Sequence, residues 1–582
     1  MRILSFHRLA FLLVLVIAGL PALSMAQEDQ ADSEITEPVS PVISINVASI
    51  DRIMGNIDFL FELVGRNEIS ELVNSQLANV RDLKGIDPQR PMGMMVFLDQ
   101  GFIPTPVPVG YIPVDDIGEL TQTVATMRAE LKPVAGEEDA YEFVPQRGGT
   151  QAAVIQHDYL FLNNNVENLD RNFVDPAIFS RSLSDRFDIS ISVNLSTTPK
   201  AVKELVLNTV KAALQTQMQQ RDEEPEGPYR IRRANAESQL HSIENLLREG
   251  EELTFGLKLD QAKQQAYLEV LVRASDDSSF AEELESGIGK PSYFRAAIDE
   301  SIPLSVSMSM LMRETDRKTL TELFGFVTGE ASRDLADLPE DTLPEDVPQL
   351  KSVQDFFGSL SATAEEGLLD GFMQLHWADP DDSESQHMVL IGGAKLKDAR
   401  FFGTGLQDIL RRIQEREESL SIDIAVDAHG EAVFHRFDPG GQITRRGGSR
   451  RMWGDDFKIY VGTDTQAIWV AVGGDRALPT LKSAMQKVAD ERENPTRGKN
   501  LAPFQLIMNG DHWLRFATAG GGGSEQFQEM AQEAFVQEGS DVMRIEARPV
   551  QNGFRTRIQF EQGFLRLLGA TIAQRIDRRQ DL

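Results

Sequence analysis

The sequence predicts an α+β fold of repeated β-α-β-β-α modules, with mainly antiparallel sheets, helices packed on one face, and two tandem halves. Three observations predict it. A short strand pattern recurs at Ile43–Val47, Ile189–Val193, Leu304–Met308 and Phe504–Met508, with apolar residues alternating mostly with small polar ones. Helical periodicity follows each copy, as in Ile50, Ile53, Met54, Ile57 and Phe61. Short connections then join paired strand runs, and a short hairpin makes neighbours antiparallel.

The first 26 residues stand apart. Arg2, His7 and Arg8 precede an apolar run from Leu9 to Leu20, Pro21 breaks it, and Ser24 and Ala26 fit a secretory cleavage site. We expect residues 1–26 to be a signal peptide, its apolar run being short of the roughly 20 residues a bilayer needs, with an uncleaved membrane anchor as the alternative. The polar, acidic segment 27–41 reads as a disordered leader. With 0 cysteines among 582 residues the chain has neither disulfides nor a lipid-modified cysteine. An exported protein of this kind, periplasmic or extracellular and not a lipoprotein, is held together by core burial alone. No later segment is apolar and long enough to span a membrane.

The modules follow in order. In the first, 42–180, Ser49 is an N-cap, a hairpin joins Met94–Leu98 to Val107–Ile112, and Ile117, Leu120 and Val124 mark a second helix. The second, 187–300, starts its helix at Thr198-Pro199 and runs Val202, Val206, Val210, Leu214 and Met218 along one stripe. Its hairpin is Phe255–Leu259 with Tyr267–Val272, and a charged insert at 223–233 precedes helical residues Leu240, Ile243 and Leu247. The third, 302–490, places Leu320, Leu323, Phe324 and Val327 on a helix, pairs Phe372–Trp377 with Met388–Ile391, and ends with Phe402, Leu406, Ile409 and Leu410. The fourth, 503–579, follows a glycine run with Phe527, Met530, Ala531 and Phe535, turns a hairpin at Asn552-Gly553, and closes on a helix.

The first and third modules carry extra strand blocks, Tyr141–Val144 with Ala152–Leu162 and Ile422–Phe437 with Phe457–Val472. The simplest history is one module duplicated twice, giving halves 42–300 and 302–579. The acidic, proline-rich run 334–348 reads as a surface loop.

Chemistry is sparse. The 8 histidines form no HExxH and no i, i+4 pair on a helix, so no metal and no cofactor is expected. His376 beside Asp379, Asp381 and Asp382 lacks the glycine and distal glutamate of a calcium loop. His429 and His435 share a strand face as ordinary polar residues. No GxSxG exists, Gly403–Gly405 lacks the third glycine of a dinucleotide site, and Gly520–Gly523 has no lysine nearby. No catalytic residue emerges, and the reading is non-enzymatic.

Two constellations remain as candidate sites. Small polar residues line the second face of the recurring strands: Ser44 and Asn46; Ser190, Ser192 and Asn194; Ser305, Ser307 and Ser309. Such residues suit either close packing of another layer or the lining of a groove. Arg445, Arg446, Arg450 and Arg451, followed by Trp453, could grip an anionic group or polymer, with the indole stacking on a sugar or an arginine. A formal charge of −32 excludes nucleic acid as a partner and disfavours anionic lipid.

The run Gly85–Gly93, then a strand and Val109–Asp115, resembles a pattern of uncharacterised exported bacterial proteins of the planctomycete type. It covers mainly residues 42–130, and the resemblance implies no activity and no catalytic residues. The expected role is therefore an exported structural or interaction protein with an unknown protein or cell-envelope partner. The alternative is a periplasmic carrier holding an apolar or amphipathic, lipid-like ligand between sheet and helices.

Overall fold

The structure is a computed structural model. It describes residues 40–73, 84–99 and 104–312 (save 138, 223 and 287–291), with scattered positions between 314 and 329. It further describes 347–380, 387–416, 421–438, 452–493 (save 455), 502–519, 525–535 and 540–580. The fold is α+β, and every strand pair given below is antiparallel.

The chain begins β1 (Ile43–Val47), α1 (Ile50–Glu62), β2 (Met92–Leu98), β3 (Pro106–Pro113), α2 (Ile117–Thr126). Strands β4 (Glu130–Pro133), β5 (Ala140–Val144), β6 (Gln151–Gln156) and β7 (Tyr159–Asn163) lead to two short helices, α3 (Pro176–Phe179) and α4 (Arg181–Arg186). Then come β8 (Ile189–Asn194), α5 (Lys200–Met218), α6 (Glu226–Glu249), β9 (Gly250–Asp260) and β10 (Gln265–Ala274). The next stretch holds β11 (Leu304–Leu311), α7 (Val347–Glu366), β12 (Leu368–Trp377), β13 (Met388–Lys395) and α8 (Ala399–Arg416). Strands β14 (Ser421–His429), β15 (Ala432–Asp438), β16 (Lys458–Thr463) and β17 (Ala467–Gly473) precede α9 (Ala477–Glu493). The chain ends with β18 (Phe504–Asn509), α10 (Gly510–Ala519), α11 (Glu525–Ala534), β19 (Val542–Val550), β20 (Gly553–Phe560) and α12 (Gln562–Gln580).

The chain divides into two compact units. The first comprises 1–219, 239–282 and 551–582, and the second 220–238 and 283–550. Strand order in the first is β4-β5-β6-β7-β3-β2-β1-β8-β9-β10-β20. In the second it is β14-β15-β16-β17-β13-β12-β11-β18-β19.

Local chemistry explains most of these elements. Ser49 accepts the Arg52 amide and so caps α1, as Asp116 accepts that of Glu119 and caps α2. Asp175 caps α3 with Pro176 at its first position. The block Ala152–Leu162, read as one run, is two strands: His157 and Asp158 take φ of 55° and 59° and reverse the chain. Strand β4 is too short and polar to announce itself. The insert around 223–233 is largely helical, because α6 starts at Glu226 with Pro228 in its first turn, where no backbone donor is needed.

Helices are not confined to one face, which corrects the sequence expectation. Trp469 of β17 lies in a core with Phe294, Phe372, Ala477, Leu481 and Met485, so α9 covers that side. Its neighbour Ile468 points the other way and packs with Phe356, Leu360 and Phe402 of α7 and α8. The first unit repeats this sandwich: Tyr159 and Phe161 join Phe97 and Phe173, whereas Leu160 and Leu162 join Leu120 and Val124 of α2. Continuous apolar strands such as Ala467–Gly473 demand cover on both sides. Among the described residues no helix is long and apolar enough to cross a membrane. Positions 334–346 of the acidic run, and Leu323 and Val327 of the helix read after Leu311, lie outside the described residues, whereas Val347 and Pro348, read as loop, open α7.

One buried charge ties the first unit together. The Glu269 side chain on β10 is 1% exposed and receives Arg186 of α4 at 2.5 Å and Arg557 of β20 at 2.6 Å. The same arginines lie over Phe187 and Tyr267, at 4.9 and 4.4 Å from the ring centroids. Replacing Glu269 with alanine strands two guanidiniums in a partly dry site. We predict that Glu269→Ala lowers unfolding stability by about 3 kcal/mol, the low end for a broken buried pair because both arginines keep some solvent. Urea unfolding of the mature chain measures it, and Glu269→Gln should retain part of the loss.

Candidate functional site

The recurring strands bring the small polar residues together in pairs. Ser44 of β1 lies opposite Ser192 of β8, and Asn46 opposite Ser190. In the second unit Ser305, Ser307 and Ser309 of β11 face Gln374, Phe372 and Asp370 of β12. All of these serines and Asn46 are buried, whereas Asn194 is half-buried. The small-residue face is therefore a packed layer in most of its extent.

In the first unit the layer above is α3–α4. The Asn46 amide donates to Ser184 Oγ at 3.1 Å and accepts from the Tyr111 hydroxyl at 3.1 Å. Burial raises the Tyr111 pKa, keeping it a neutral donor. Arg52 of α1 clamps the same helix pair, donating to Ser184 O at 2.5 Å and pairing with Asp188 at 2.7 Å. Asp188, buried at the foot of β8, also accepts from Asn56 at 2.8 Å and from the Leu259 amide at 2.6 Å. Ser192 donates to Glu252 at 2.9 Å, and Thr254 donates to the same oxygen at 2.6 Å. Beside this pair a cleft of about 170 Å³ opens, lined by Ser44, Ser182, Ser192, Asn194, Ser196 and Glu252 among others. Ser44 Oγ and Ser190 Oγ are buried and have no hydrogen-bond partner among the described residues.

The second unit closes the same face differently. The segment ahead of β11 folds back over it: Ser292 and the Tyr293 amide donate to Asp370 at 2.6 and 2.7 Å. Gln374 donates to Ala297 O, and the Asp299 amide donates to Ser305 Oγ at 3.3 Å. Burial raises the Asp370 pKa, with the two donors opposing it.

The other candidates fall apart or fall outside view. Arg445, Arg446, Arg450 and Arg451 lie outside the described residues, as do Asp381, Asp382 and Gly520–Gly523. Trp453 packs against the cluster of Leu375, Trp377 and Met388. His435 Nδ1 accepts the Ala425 amide at 3.1 Å inside the bulge of β14. Among the described residues no three acidic or histidine groups gather as a metal site. Sequence reading missed Glu252, Tyr111 and the α3–α4 layer. Asp175-Pro176 was a legible helix start, but nothing in the sequence said where that helix would lie.

No protein family, curated protein or solved structure matches the chain.

His376 gives a titratable handle on the second unit. Burial pushes its pKa down to about 4, aided by Lys487 and opposed by Asp299. An unfolded histidine titrates near 6.5, so protonation favours the unfolded chain between these values. We predict that stability is constant with respect to this group above pH 6.5 and falls as pH drops toward 4. His376→Gln should flatten that segment of the curve of unfolding midpoint against pH, whereas His241→Gln, on an exposed helix face, should leave it unchanged.

Proposed function

We propose that this protein is an exported, non-enzymatic interaction protein, periplasmic or at the cell surface, built from duplicated β-α-β-β-α modules. The strand orders support the duplication. Adding ten to each strand number from β4 through β9 in the first unit reproduces the order from β14 to β19 in the second. Register agrees too: Val47 lies opposite Ile189, and Met308, at the corresponding place, opposite Phe504.

The observation that carries the interaction role is a row of apolar side chains left open on the sheet of the first unit. Ile189, Leu257 and Leu268 are direct cross-strand neighbours on β8, β9 and β10, and are 38, 39 and 43% exposed. Half-buried Val47 and Ile558 extend the row to β1 and β20. Contiguous apolar surface on a folded sheet is costly in water and marks contact surfaces. The strong negative charge argues against self-association and against anionic lipid, so the partner is a protein of the cell envelope presenting an apolar segment.

A carrier role is the second reading, favoured by the same row and by Met92, which lies opposite Val47. Against it stands the small-residue face, which is packed over most of its extent and leaves only a small cleft, too small for a lipid chain. Native mass spectrometry of protein purified from its host separates the two. A single mass equal to the mature chain is expected, and a retained lipid mass would replace this reading with the carrier. In parallel, the double variant Leu257→Lys/Leu268→Lys should lose co-sedimentation with the host's envelope fraction while its melting temperature stays within a few degrees. Unchanged co-sedimentation would place the contact elsewhere.

A further inference from the structure

We propose that the cleft above Ser44 and Ser192 is a binding site for a small organic ammonium compound that also carries a hydroxyl group. This goes beyond the interaction surface on the opposite face of the sheet and does not depend on it.

The argument comes from one position in two environments. Ser44 is the second residue of β1 and sits opposite Ser192; Ser305 is the second residue of β11 and sits opposite Ile507. In the second unit Ile507 is fully buried, and Ser305 Oγ accepts a backbone N–H from Asp299 at 3.3 Å. That hydroxyl is satisfied and its surroundings are filled. In the first unit the isoleucine is replaced by serine, and the space it would occupy is not closed. Ser44 is 2% exposed, its Oγ has no partner among the described residues, and it lines the open cleft. A buried hydroxyl left without a partner is costly, so the site favours a molecule that donates to it or accepts from it.

The rest of the lining selects the ligand class. Glu251 and Glu252 stand at the cleft, and Glu252 is held in place by Ser192 and Thr254. Its second carboxylate oxygen pairs with Arg273 at 3.8 Å, an ion-pair distance too long for a direct hydrogen bond, so an ammonium group at hydrogen-bond distance would compete with that guanidinium. Two carboxylates repel an anion and attract a cation, and an ammonium group supplies charge-assisted donors that neutral polyols lack. Phe179 and Leu183 form an apolar wall suited to a short carbon chain. A cleft of about 170 Å³ suits a ligand of few heavy atoms.

Ethanolamine is the probe, titrated into the mature full-length chain at fixed ionic strength and followed by calorimetry and ligand-observed NMR. The expected result is saturable binding of ethanolamine and none of glycerol over the same concentrations. Glu252→Gln should weaken binding at least tenfold. Ser192→Ile, which installs the residue of the second unit, should abolish it, while Ser305→Ala should leave it unchanged. The proposal is overturned if ethanolamine does not saturate, if glycerol binds equally, or if Glu252→Gln binds like the wild type. That last outcome would mean the ammonium responds only to the protein's overall charge. Should Ser192→Ile lack a cooperative thermal transition, the near-isosteric Glu252→Gln decides alone.

Discussion

Close approach across the small-residue face is the constraint from which the rest of the structure follows. In the first unit a single cross-strand row runs Tyr111, Gly93, Asn46, Ser190, Gly256, Glu269, Arg557 through seven strands. Its middle is made of the smallest side chains available. A Cβ on Gly256 would stand 2.2 Å from the Phe187 ring, and one on Gly93 would stand 2.0 Å from Ile45 O. Neither glycine is there for its backbone freedom; each is there because another group occupies the space. The second unit solves the same problem at Gly393, whose Cβ would meet Phe294 and Phe372 at 2.9 Å and Trp469 at 3.1 Å. Small residues let α3–α4 and the segment ahead of β11 descend onto the sheet, and the hydroxyls and amides they bury must then find partners. Most do, which is why this layer is a network rather than an oily contact.

The opposite face inherits the consequence. A strand alternates, so committing one side to small buried polar groups leaves the isoleucines, valines and methionines on the other. Ordinary amphipathic strands bury that apolar side and wet the polar one. Here Ser44, Ser190 and Ser192 are buried, while Ile45 and Val47 are only half-buried and Ile189 is exposed. The two outcomes are one fact seen from both sides of the sheet. A formal charge of −32 opposes self-association through such open apolar surface. It also means that a partner for the row must bring shape and apolar area, because charge alone will not hold it.

Local pattern made much of this fold legible, and its limits are equally physical. The four recurring strands, the hairpins after them and the cap at Ser49 depend on neighbouring residues, so a sequence states them outright. Which side of a strand faces a helix depends on residues far away. Ile468 and Trp469 are both apolar, and nothing local says that α7–α8 take one and α9 the other. The sequence left the seryl face as either packed or groove-lining, because its cover comes from Tyr111, Ser184 and Asp370, which are 65, 138 and 78 positions from the groups they bond. The arginine cluster looked sharp because charge density is visible in one dimension, whereas its neighbour Trp453 belongs to a core that only three dimensions assemble.

The first unit keeps a cleft beside Ser44 and Ser192, whereas the matching strand position in the second unit holds the fully buried Ile507. Each unit must bury its sheet, but the two need not do so in the same way. In the second unit Ile507 and the segment from Ser292 to Asp299 fill the layer, and the price is a fixed backbone over the strand. In the first, Ser192 supplies no bulk, and closure rests instead on α3–α4, which Arg52 and Arg186 hold at its edge through Ser184 and Glu269. Clamping a layer at its margin leaves its middle free to stay open, so the strand pairing that is sealed by hydrocarbon in the second unit keeps an unpaired hydroxyl and a carboxylate in the first.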